Sequence, residues 1–347
     1  MIRYRIASLL AVAIAVSTPA AAAVTKSAGV VDENPRIGWL EHYQESRQGP
    51  EQTERFSETV KISGDGALDL SHIAGDVKVV TGGGSVIRVD AIKRVRYRDA
   101  EEAKRLLGAL RVDLNQVGNR VEVRTVYPRM GNYRSLSMSV DYTITVPASA
   151  AVAIKTVSGD VAVNGVRGEV RAETVSGDVE VIATPNLALA KAVSGDVRAR
   201  DIGAQSSLTL STVSGTVYAT ALKVRTLEAG SVSGDIDLSN LQIERLLAKT
   251  ISGNIGFDGG LARAGRYEFN AHSGNVRLIL ANPSGFELDA STFSGSIRSD
   301  FPITLRSTDS SDRPRNRANR AVRGVFGDAS AILAVRSFSG TVVIVKK

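Results

Sequence analysis

Through the second half of the chain, short runs of alternating apolar and polar residues break repeatedly at one small phrase built on Ser-Gly. It reads Thr156-Val157-Ser158-Gly159-Asp160-Val161 in the first copy. It returns at Ser176-Gly177-Asp178, Ser194-Gly195-Asp196, Ser214-Gly215, Ser233-Gly234-Asp235, Ser252-Gly253, Ser273-Gly274, Ser294-Gly295 and Ser339-Gly340. The glycines step by 18, 18, 20, 19, 19, 21 and 21 residues, then by 45. With each Ser as position 0, positions −6, −4 and +3 are apolar and position −3 is mostly polar. Val152, Ile154, Lys155 and Val161 set the pattern, and the third copy, with Ala188 and Ala190, matches it least well. Period two with one apolar face is a strand packed on one side. A fixed period near 20 residues marks units that bury their apolar face only by stacking on each other. The prediction is an all-β, parallel β-solenoid of about 18–21 residues per coil. Each coil has a strand, a corner at Ser-Gly and a second strand.

Gly supplies the φ > 0 that a corner needs, and Ser and the short polar residue after Gly can satisfy backbone groups there. Small Thr, Ala or Ser at −2 is expected to make room for Val, Ile or Phe at −1, and His272, in that slot, reads as a wall residue. The 45-residue step is expected to hide one more coil with an Arg-rich insertion at about 306–323, after which Val325-Phe326-Gly327-Asp328 resumes the fold. A last coil ending at Lys347 without a cap would expose a strand edge, so self-association through solenoid ends is a candidate.

Upstream, residues 59–147 read as a β region with one helix. Ile73-Ala74-Gly75-Asp76-Val77 resembles a degenerate copy of the phrase, and Ala103, Leu106, Leu107 and Leu110 fall at helical spacing after Asp99. Residues 24–58 are polar and read as an N-terminal arm, with Trp39 as a local packing plug. Residues 1–23 read as a secretory signal: Arg3 and Arg5, the apolar run Ile6 to Val16, and a small-residue cleavage site ending at Ala23. The expected compartment is the periplasm or the exterior, with no transmembrane segment in the mature chain.

Composition narrows the chemistry. There is no Cys, which removes disulfides, thiol catalysis and cysteine metal sites. Loss of Arg3 and Arg5 lowers the formal charge from +7 to about +5, a mild excess that supports envelope polysaccharide, lipid headgroups or an envelope protein as partners, and export argues against nucleic acid. The column Asp160, Asp178, Asp196 and later Asp235 could hold a cation. Elsewhere the same position carries Thr216, Asn254, Asn275, Ser296 and Thr341, which share a short side-chain oxygen and not a charge, so turn chemistry explains the column better. Nine serines in nine corners cannot all be nucleophiles, and the only histidines are His42, His72 and His272. No catalytic, metal or cofactor residue is assigned. The candidate contact surface is the Arg-rich loop with Arg313, Arg315, Arg317 and Arg320; Tyr127 to Tyr133 reads as a hairpin tip.

The export signal, the Val140 to Pro147 lead-in (V-D-Y-x-I-x-V-P) and the repeated V-S-G-D-V together resemble the bacterial putative-adhesin family of exported β-solenoid proteins. The resemblance covers roughly residues 60–347. It implies a non-enzymatic cell-envelope role and supplies no catalytic residues. Two other readings stay open: a carbohydrate-active β-helix enzyme, whose foothold would be the Asp160/Asp178/Asp196 column, and an envelope-stress accessory acting through the arginine loop.

Overall fold

The structure, a computed structural model, describes residues 49–63, 65–128, 135–203, 207–305 and 320–347. Before the repeats come β1 (Glu51–Lys61), β2 (Ala67–Ser71), β3 (Val77–Gly82), β4 (Val86–Arg96), the helix α1 (Ala100–Ala109), β5 (Arg111–Val117), β6 (Arg120–Val126) and β7 (Ser137–Pro147). Next are β8 and β9 (Ala151–Ser158, Val161–Asn164), β10 and β11 (Val170–Ser176, Val179–Ile182), β12 and β13 (Leu187–Lys191, Val197–Arg200), and β14 and β15 (Ser207–Ser211, Val217–Thr220). β16 (Lys223–Ser233), the long β17 (Ile236–Ser252), β18 (Ile255–Gly259), β19 and β20 (Arg266–Ser273, Val276–Leu280) and β21 and β22 (Gly285–Ser294, Ile297–Ser299) continue the stack. The chain ends with β23 (Thr304–Leu305), β24 (Arg320–Gly327), β25 (Ala331–Ser339) and β26 (Val342–Lys346).

Strands before the corner pair in parallel in the spatial order β6, β2, β8, β10, β12, β14, β16, β17, β19, β25, β21. Strands after it run β7, β3, β9, β11, β13, β15, β17, β18, β20, β26, β22. The inward residues of both sets are almost wholly buried, from Val152, Ile154 and Val161 to Leu333, Val335 and Val342. In the third coil a register shift beside Val170 brings Leu187 into the core where spacing alone had put Ala188. The bulge supplies the volume that the alanine lacks.

Antiparallel strands close both ends: β5 on β6, β4 on β7 and β1 on β4 at one, β24 on β21 and β23 on β24 at the other. Among the described residues the fold is therefore all-β with one helix, a solenoid-like stack in a mixed sheet, which corrects the expectation of a wholly parallel one. Residues 51–58, expected in a polar arm, belong to β1, an edge strand whose outward side chains can stay polar because only part of it faces the core. Helix α1 starts where Asp99 accepts the Glu101 and Glu102 N–H groups, and it buries Ala103, Leu106 and Leu107.

The order of coils departs from the order of sequence at both ends. The first coil, β2 with β3, lies between β6 with β7 and β8 with β9. The last, β25 with β26, lies between β19 with β20 and β21 with β22. The 45-residue step is thus not a hidden coil; the chain makes an outer coil, returns along it as β24, and threads its final coil inside. Residues 320–323 of the expected insertion are part of β24, and Arg323 pairs with Asp289 at 3.1 Å. Lys347 consequently ends beside Asp258 at 2.8 Å, and the final strand has neighbours on both sides instead of an open edge.

Candidate functional site

Every corner obeys one geometry. From Gly159 to Gly274 the corner glycines have φ between +131° and +156°. A Cβ on Gly215 would fall 2.2 Å from the Gly195 carbonyl oxygen, and the same approach recurs at Gly177, Gly234, Gly253, Gly295 and Gly340. The stacking distance therefore requires glycine at these corners, and from Gly159 to Gly274 the backbone conformation requires it too.

The residues around the glycine serve the same contact. At −2, Thr212, Ser231, Thr250, Thr292 and Ser337 point inward and donate to a neighbouring glycine carbonyl at 2.8–3.2 Å. After the glycine, Asp160 accepts the Asp178 N–H, Asp178 that of Asp196, and Asp196 that of Thr216, each at 2.8 Å. Asp235, Asn254 and Asn275 extend the relay at 2.7–3.0 Å. A short oxygen is what this position needs, and either Asp or Asn supplies it. Arg198 spans Asp178 and Asp196 at 2.6 and 2.5 Å and lies over the Tyr218 ring. Burial would raise the Asp178 carboxyl, but the Asp196 N–H and Arg198 outweigh it and hold it below the usual carboxylate range. Among the described residues no group of three or more His, Cys, Asp or Glu is placed to hold a metal.

The serines Ser158, Ser176, Ser194, Ser214, Ser233, Ser252, Ser273, Ser294 and Ser339 are all exposed on the corner. Beside them lies a feature the sequence reading misplaced. The residues at −1 do not pack inside; they face out. In spatial order Ile73, Val157, Val175, Val193, Val213, Val232, Ile251, His272, Phe338 and Phe293 form one exposed ladder, whose aliphatic and Phe rungs are 38–55% exposed. Alternation held the signal: with −6, −4 and −2 inside, −1 must point to solvent. His272 is accordingly no wall residue. Its ring stacks on Phe338, which stacks on Phe293, both at 4.9 Å and within 9° of parallel. Beside Val213 and Val232 the −3 column shrinks to Ser211 and Gly230, and a hollow of about 710 Å³ runs from there to His272, Phe293 and Phe338, edged by Lys249, Asn270 and Arg336.

Arg313, Arg315 and Arg317 lie outside the described residues, as do Trp39 and His42. Arg320 donates to the Gly295 carbonyl at 2.9 Å. Tyr127 hydrogen-bonds the Ala74 backbone with its hydroxyl, so this start of the supposed hairpin tip is part of the core; residues 129–134 fall outside the description. His72 fills the −2 slot of the first coil. Its Nδ1 is 2.9 Å from Thr125 Oγ1, which is 2.7 Å from the Tyr142 hydroxyl. Nε2 of His72 and Oγ1 of Thr156, on neighbouring rungs, are buried without a hydrogen-bond partner. Desolvation pushes the His72 pKa from 6.5 down to about 4.

Two consequences are measurable. Gly215→Ala is expected to cost at least ~2 kcal/mol in denaturant unfolding. Gly230→Ala, where a Cβ meets nothing within 4 Å, should be neutral or stabilising; equal costs would refute the corner geometry. For His72 the unfolded chain binds the extra proton between pH 6.5 and about 4, so its stability contribution is complete above 6.5 and shrinks as pH falls through that window. The loss should reach about 3 kcal/mol and be absent in His72→Gln; an unchanged pH profile in that variant would contradict the assignment.

No curated protein matches the chain. Solved structures similar to it include a "putative cell adhesion protein" from Clostridium sporogenes, 10% identical, covering 85% of this chain and 100% of that one at a TM-score of 0.22. A "putative adhesin" from Bacteroides fragilis is 12% identical over 84% and 97% at 0.35, and a "putative lipid binding protein" from Parabacteroides distasonis is 13% identical over 84% and 96% at 0.40. The Toastrack DUF4097 family model matches residues 124–344, most of the chain, from the end of β6 into β26, and the protein belongs to that family.

Proposed function

We propose that the protein is an exported, non-enzymatic cell-envelope scaffold that adheres to an envelope or surface component through its apolar ladder. The observation that carries this reading is the ladder itself. Ten rungs at the strand spacing make a strip about 43 Å long, while exposed apolar groups on a monomer are usually scattered singly. The Oδ1 atoms of Asp160, Asp178 and Asp196 are engaged in holding coils together, which supports a structural role for that column. Among the described residues no helix is long and apolar enough to cross a membrane.

The test is binding of the mature chain to purified envelope, comparing wild type with the double substitution Val193→Lys, Val213→Lys. Both side chains are exposed, so stability should change by no more than about 0.5 kcal/mol each. Binding should weaken tenfold or more, the scale of losing contacts at the centre of an interface. Unchanged binding by a folded double variant would refute the reading.

A further inference from the structure

The ladder has flanks of different kinds. On one side of the −1 ridge runs the row of small exposed serines, and beyond it the column after Gly. That column is acidic at Asp160, Asp178, Asp196 and Asp235, with Arg198 bridging Asp178 and Asp196, and neutral at Thr216, Asn254, Asn275, Ser296 and Thr341. On the other side runs the −3 column, basic at Lys155, Lys191, Lys249 and Arg336 and broken by Glu173, which Lys155 bridges at 3.6 Å. Across the corner the order is therefore basic column, apolar ridge, small-residue trough, acidic column.

We infer that the partner of this ladder is a second copy of the same chain, docked about a two-fold axis parallel to the stack. This inference rests on reading the ladder as an adhesive surface. Such an axis swaps left and right without reversing the stack. It lays each ridge in the other copy's serine trough and each basic column over the other's acidic column. Lys155 meets Asp160 and Lys191 meets Asp196 at matching heights. A two-fold across the stack would instead set ridge on ridge and acid on acid. Identical rung spacing keeps the two ridges in step along the whole length.

Size agrees. Nine apolar side chains, each 38–55% exposed, offer on the order of 700 Å² per chain, near the ~800 Å² per partner of a standard interface. Other occupants fit less well. The ladder stands at a turn and the hollow beside it is open to solvent, so a single acyl chain would keep much of its surface in water. Phe338 lies between the rings of His272 and Phe293, so both of its faces are covered and it offers none to a sugar. The flanking columns carry both signs, and Arg198 bridges two of the aspartates, so they give an anionic membrane no net attraction.

Sedimentation velocity of the mature full-length chain at micromolar concentration should show a two-chain species, and Val193→Lys with Val213→Lys should weaken it at least 100-fold while thermal melting holds. The chain has no Cys, so single replacements report cleanly. Val175→Cys and Ile251→Cys, four rungs or about 19 Å apart, should each cross-link to itself with a short bismaleimide. A monomer, a dimer indifferent to the lysines, or cross-links only between Val175→Cys and Ile251→Cys chains would overturn the inference. Envelope from cells lacking the protein separates the two levels. If a monomeric wild type binds it and the lysine pair does not, the adhesive reading survives and the second copy is excluded. If the lysine pair binds envelope that carries the protein as well as wild type does, the adhesive reading itself falls, whatever the mass.

Discussion

The structure depends on one close approach: each corner glycine rests on the carbonyl of the glycine in the neighbouring coil, with no room for a Cβ between them. That contact fixes how near the coils can come at the corner. Once the corners stack, the −2 hydroxyls reach the same carbonyls and the carboxylates or amides after glycine reach the next coil's N–H. The residues of the phrase are thus parts of a single hydrogen-bonded column and not independent turn preferences. Buried aliphatic columns supply the driving force, at roughly 25 cal/mol per Å² removed from water, while the corner sets the register that lets them meet.

The same constraint produces the surface. A strand entering a corner with −2 locked inward cannot hide −1, so every coil places one side chain in solvent. Small polar residues there would satisfy the fold equally well. Val, Ile and Phe occupy the position instead, and the exposed strip they form is a property the corner permits and does not require. This separation between what folding demands and what it leaves free is the basis for assigning function to the ladder and structure to the serines and aspartates beside it.

Much of this was legible in the chain. Alternation located the strands and the buried columns, and glycine spacing gave the coil length. Asn, Thr and Ser at the aspartate position pointed to hydrogen bonding over charge. Helix α1 could be read from Asp99 and the spacing of its leucines. The −1 ladder was equally present, since parity alone puts Val157 outside, but an apolar residue beside small neighbours invites a packing interpretation. Other features were not readable because they involve distant partners. Placement of β25 and β26 inside the stack depends on which neighbours Leu333 and Val342 find, and local pattern carries no record of that. Leu187 replacing Ala188 needs a bulge whose reward is felt only in the packed core. Residues 51–58 look like a polar arm because an edge strand is under little pressure to be apolar.

The central claim is that position −2 faces the core and position −1 faces solvent throughout the stack. Thiol labelling of the native protein measures this most directly, because the chain carries no competing cysteine. Val213→Cys should react with a maleimide at close to the rate of a free thiol, and Thr212→Cys should react only through unfolding, slower by orders of magnitude. Comparable rates at the two adjacent positions would contradict the account.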